Sequence, residues 1–116
     1  MRAAVIERFG ELPVVRERDE PKADSANVIE VTAAPLNPVD LSIATGKFYA
    51  GKPPLPYVPG GEGIGHPMSG VPADRVYFRA APPNGALAER AVANGQTVPL
   101  PEQVSDGVAA ALGTPG

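Results

Sequence analysis

The chain has no cysteine and no tryptophan, a single histidine (His66), and only three tyrosines and three phenylalanines in 116 residues. Without cysteine there can be no disulfide and no thiolate metal ligand, so redox chemistry says nothing about compartment. One imidazole cannot build a transition-metal site, and His66, standing before Pro67 in a glycine- and proline-rich stretch, reads as a surface residue. So few aromatic rings leave the core to be packed mainly from Val, Ile, Leu and Ala. Positive charge is also scarce. Ten Lys and Arg against thirteen Asp and Glu give a net charge of −3, and no basic cluster occurs, which argues against a nucleic-acid or anionic-membrane partner. No run approaches the roughly 20 apolar residues of a membrane span, and the N-terminus lacks an apolar signal core, so a cytoplasmic setting is expected.

What the chain has in abundance is proline and glycine, 15 and 13 residues, or 28 of 116. That is near the roughly 25–30% at which disorder becomes the better guess. Against disorder stand an apolar share of 43% and the arrangement of those residues in periodic runs. The expectation is one loop-rich domain spanning residues 1–116; a chain of this size buries roughly two-thirds of its unfolded surface.

In order, Arg2–Arg8 (RAAVIER) is a short apolar run closed by Phe9-Gly10 and predicts a first strand, with Val14–Arg18 pairing back onto it. The acidic stretch Glu17–Ser25 reads as a surface loop. Asn27–Ala34 (NVIEVTAA) alternates cleanly, with Ile29, Val31 and Ala33 on one face, and predicts the best strand in the chain. A helix should then begin at Pro38: Asn37 can cap it, Pro38 suits the first helical position, and Asp40 puts negative charge in the positive first turn. After Gly46 comes a proline arm, Pro53–Pro59, predicted to run extended and outside any sheet interior.

The arm delivers the chain to Gly60-Gly61-Glu62-Gly63-Ile64-Gly65. As a dinucleotide fingerprint its spacing fails, because G-x-G-x-x-G from Gly61 would need glycine at His66, and from Gly63 at Met68. These glycines are expected to serve close backbone approach and positive φ. Gly65–Ala73 reads as a loop, Arg75–Phe78 and Thr97–Leu100 as strands. Gly85–Ala93 is helix-prone by propensity but short and bracketed by turn signals. Ser105–Leu112 predicts a second helix, stopped by Gly113 and Pro115.

The segments N-P-V-D (37–40), G-K-F-Y (46–49) and P-P-L-P-Y-V-P-G-G-E-G-I-G (53–65) resemble the catalytic, GroES-like domain of the medium-chain dehydrogenase/reductase superfamily, on its zinc-free quinone oxidoreductase branch. Met1–Val5, Asp74-Arg75-Val76 and Ala109–Gly113 extend the resemblance outward. It implies a mainly β fold, a partly open barrel with two short helices, Pro38–Thr45 and Ser105–Leu112, and it implies that Gly85–Ala93 is a strand. It further implies a cleft wall facing an NADPH-binding Rossmann domain that this chain does not reach, and a quinone or enone as the small-molecule substrate. The complete enzyme could be a homodimer.

For site residues, the resemblance puts Asn37 where zinc enzymes have a cysteine ligand, near nicotinamide and substrate, and Gly61 at their histidine position, so no zinc is expected. Asn37 is thus a candidate for catalysis and cofactor contact, with plain helix capping as the competing reading. Asp40 is favoured as a helix-dipole partner. Phe48 and Tyr49 fall at the family's aromatic substrate wall, and Ser42 where some members carry a tyrosine facing the cleft. The alternative from another class is a stand-alone GroES-like binding or assembly module without catalysis.

Overall fold

A computed structural model describes residues 1–22, 27–46, 53–68, 75–81, 83–95, 97–101 and 103–105. The first hairpin forms as the sequence predicts. β1 (Arg2–Val5) pairs antiparallel with β2 (Val14–Glu17), and Ala3 and Val5 turn inward while Arg2 faces water. β3 (Val28–Ala33) is also where alternation puts it. It carries Ile29 into the core at 0% exposure.

The main sheet has five strands in the order β6–β3–β4–β5–β7, all neighbours antiparallel. Here β4 is Glu62–Pro67, β5 Val76–Arg79, β6 Arg90–Val92 and β7 Val98–Pro99. The two sheets do not close into a barrel. The small sheet is tied to the rest by single bridges, Ala3 to Ala88 and Ile6 to Tyr57. Its core contact joins Ala3 and Val5 to Val58, Leu87 and Ala88. The larger core gathers Ile29, Val76, Phe78, Ala80, Ala86 and Ala91, so aliphatic residues and alanine dominate, as the shortage of rings requires.

Three sequence expectations need correction. The glycine run was expected as a turn-like cluster followed by a loop; instead Glu62–Pro67 is the central strand, hydrogen-bonded on both sides. Only Gly60 in that run has a positive φ, 108°. The other glycines serve close approach: a Cβ on Gly63 would lie 2.9 Å from Phe78 Cζ, and one on Gly65 would lie 2.7 Å from Ile29 Cγ2 and collide with the Glu30 carbonyl. Packing, and not backbone conformation, demands glycine there. The proline arm is not extended throughout, since Leu55–Pro56 is cis, and its end is not peripheral, since Tyr57 and Val58 are each 1% exposed. Propensity read Gly85–Ala93 as helix-prone; cross-strand pairing of Arg90–Val92 with Val28–Glu30 overrides it.

The helix α1 runs from Pro38 to Ala44, with Thr45 as its C-cap. Gly46, at φ 77°, ends it in the left-handed conformation that glycine tolerates. Of the expected second helix, only Ser105 lies among the described residues.

Candidate functional site

Two elements meet at the site: the start of α1 and the start of β4. Asp40, the third helical residue, is 5% exposed. Its Oδ2 accepts the Asn37 backbone N–H at 2.9 Å, the reciprocal arm of a capping box. Its Oδ1 accepts the Gly61 N–H, also at 2.9 Å. One carboxylate therefore clamps the helix start to the residue before β4. A Cβ on Gly61 would lie 3.3 Å from Asp40 Oδ1, tighter than most real contacts, so the small residue favours the clamp.

The clamp sets Asn37 against Glu62, which is 5% exposed. Asn37 Nδ2 donates to Glu62 Oε1 at 2.9 Å, and the Tyr77 hydroxyl donates a short bond to Oε2. A carboxylate only accepts, so it decides which way the Asn37 amide faces: nitrogen inward toward Glu62. Tyr77 reaches Glu62 by sheet register. It stands opposite Ile64, two residues along β4 from Glu62 and on the same face, a diagonal that a long side chain can span. Burial first, then the hydrogen bond and charge of Glu62, raise the Tyr77 pKa, so the phenol is neutral and donating at physiological pH.

Of the sequence candidates, Asn37 is brought into this network. Ser42 is exposed on α1, where its carbonyl accepts from Thr45 Oγ1 at 2.9 Å. Phe48 and Tyr49 lie outside the described residues. Asp40 does more than meet the helix dipole, because it also holds Gly61. Tyr77 and the pairing of Asn37 with Glu62 were missed. Alternation in Val76-Tyr77-Phe78 could have shown Tyr77 facing away from the core, but its partner became legible only with β4 recognised as a strand.

The donor set does not suit zinc. Glu62 spends its oxygens on Asn37 and Tyr77, Asn37 turns a nitrogen toward it, and Gly61 has no ligand atom. Nor do the glycines offer a phosphate cradle: the Gly61 N–H is taken by Asp40 and Glu62–Gly65 is paired between β3 and β5.

No protein-family model matches the chain. It is 35% identical over 126 residues to the quinone oxidoreductase of Mus musculus, a match covering 99% of this chain and 38% of that protein. Its fold superposes on the quinone oxidoreductase of Thermus thermophilus, solved alone and in complex with NADPH. There the TM-score is 0.79 at 34% identity, over 97% of this chain and 36% of that one. An alcohol dehydrogenase superfamily protein from Novosphingobium aromaticivorans shares the fold at TM-score 0.77 and 23% identity, over 91% of this chain and 36% of the other. The chain thus spans 38% of the length of the mouse relative. Sequence and backbone converge on one oxidoreductase family: the chain belongs to the medium-chain dehydrogenase/reductase superfamily and corresponds to the N-terminal, GroES-like part of its quinone oxidoreductase members.

Proposed function

We propose that residues 1–116 form the substrate-side domain of a zinc-independent, NADPH-dependent cytoplasmic reductase acting on a quinone or an activated enone, and that the domain is inactive without a dinucleotide-binding Rossmann partner. The observation that carries this reading is the Asn37 carboxamide fixed by Glu62 at the start of α1, in a chain whose relatives include a quinone oxidoreductase solved with NADPH. NADPH supplies a hydride, and the electron pair that arrives with it develops as negative charge on the substrate carbonyl oxygen. A primary amide carries two N–H donors; Glu62 takes one, and the other is assigned to that oxygen. The Glu62 bond holds the amide plane in place before reaction, so little reorganisation is needed as charge builds. Ser42, Phe48 and Tyr49 are assigned to the substrate wall. Pyrophosphate recognition belongs to the partner domain, because the glycine N–H groups here are already engaged.

The test is turnover in the assembled two-domain enzyme. Asn37→Ala should lower kcat on the order of a hundredfold with a far smaller change in KM, since the lost bond strengthens only in the transition state. Asn37→Ser keeps a capping side chain but loses the amide donors. If Asn37→Ser turns over as fast as the parent, Asn37 serves only the helix and the assignment is wrong.

A further inference from the structure

Tyr57 stands at the end of the proline arm, 1% exposed, and its hydroxyl has no hydrogen-bond partner among the described residues. Buried hydroxyls are almost always paired, so this one calls for a ligand or a reason. The residue cannot simply swing away. Its backbone exchanges two hydrogen bonds with Ile6, at 2.8 and 3.2 Å, and its ring centroid lies 6.4 Å from that of Phe9. Burial first, and then the charge of Asp40, raise its pKa, so it stays a neutral donor and its hydroxyl end feels Asp40.

Tyr57 and Asp40 both line a cavity of about 210 Å³, walled otherwise by Ile43, Pro59, Ala80 and Ala81 and floored by the Gly60-Gly61 backbone. At about 30 Å³ per water this holds about seven waters, or one substituted six-membered ring. It is smaller than the roughly 300–1,000 Å³ of pockets that take whole ligands, so it suits one ring or the head of a longer molecule. The side-chain walls are mostly apolar. The one charge is negative, and each Asp40 oxygen already accepts a backbone N–H. Such a space disfavours anions and offers one unmatched donor, whose complement is a carbonyl oxygen.

We infer that this cavity is a subsite for a compact neutral ring ketone, whose oxygen accepts a hydrogen bond from the Tyr57 hydroxyl while its hydrocarbon edge lies against Ile43, Pro59 and Ala80. The choice of a conjugated ketone rests on the reductase reading above. The subsite adjoins the Asn37–Glu62 pair through Asp40, which touches both.

The experiment is an amide NMR titration of the full chain with 2-cyclohexen-1-one; with no cysteine present, thiol addition cannot confuse it. Saturable shifts are expected at Gly60, Gly61, Ala80 and Ala81. Tyr57→Phe should weaken binding about three- to tenfold, the range for one hydrogen bond. The same variant without ligand should unfold at no lower urea concentration than the parent, because the hydroxyl it loses had no partner. Equal affinity in Tyr57→Phe, shifts centred elsewhere, no saturation, or a Tyr57→Phe chain less stable in urea would each overturn the inference. No reduction is measured, so failure here leaves the Asn37 turnover test standing, and failure of that test leaves this binding result intact.

Discussion

Replacing Glu62 tests the geometry on which the site depends. Its carboxylate is 5% exposed and accepts from both Asn37 Nδ2 and the Tyr77 hydroxyl. A hydrogen bond to a charged group is worth roughly 1.5–3 kcal/mol net, so losing both bonds puts about 3–6 kcal/mol at stake. Two effects reduce that. Asn37 and Tyr77 are only half-buried, so water recovers part of the loss, and a leucine side chain gains from burial. Glu62→Leu is therefore expected to cost about 2–4 kcal/mol. Glu62→Gln should cost no more than about 1 kcal/mol, because its oxygen can accept from Asn37 while its nitrogen donates to the Tyr77 oxygen. Urea unfolding by linear extrapolation reads both. Tyr77→Phe closes the cycle: Glu62→Leu and Tyr77→Phe remove the same bond, so the double variant should be less destabilised than the sum by about 1 kcal/mol or more. If Glu62→Leu is as mild as Glu62→Gln, or if the pair adds to within about 0.5 kcal/mol, Glu62 is not the hub that orients Asn37.

Gly65→Ala should cost about 3 kcal/mol, since its Cβ would strike the Glu30 carbonyl and Ile29 in mid-sheet, whereas Gly95→Ala, at φ 93° in open space, should cost only about 1–2 kcal/mol; chemical denaturation ranks the two. Asp40→Asn leaves one oxygen for two backbone donors, Asn37 and Gly61, and should lose about 2 kcal/mol by the same measurement. Tyr57 and Tyr77 both have pKa values raised above 10.0 in the fold. Their contribution to stability is therefore full below that unfolded value and lost as pH rises through the folded ones. A stability–pH profile should fall on its alkaline side, and more shallowly in Tyr77→Phe.

How much of this fold the sequence carried depended on whether a strand is defined by its own residues or by its neighbours. Val28–Ala33 alternates because one face meets the core, and that pattern is local. Glu62–Pro67 (EGIGHP) has three small or ring-constrained residues in six, and by propensity it is a poor strand. It is central because Phe78 fills the space above Gly63 and the β3 backbone fills that beside Gly65. Those facts belong to the partners. The glycine spacing could rule out a phosphate loop; it could not announce a strand, and with that strand unseen the loop expected after Gly65 began three residues too early, before the end of β4 at Pro67.

The same blindness decided the site. From sequence, capping and catalysis looked like rivals for the Asn37 side chain. In the fold, much of the capping falls elsewhere: Asp40 reaches back to the Asn37 N–H, and the Asn37 carbonyl accepts from Asp40 and Leu41. That lets the carboxamide nitrogen engage Glu62, a residue 25 positions away. Helix start and central strand are thus held by two contacts in parallel, Asp40 to Gly61 and Asn37 to Glu62. The first fixes the distance between the elements and the second fixes the rotation of one amide. Local signals could supply Asn37, Pro38 and Asp40 as a helix start. They could not supply the partner that gives the amide a direction, because that partner is placed by cross-strand pairing; once β4 is in the sheet, the orientation of Asn37 follows from the chemistry of a carboxylate that can only accept.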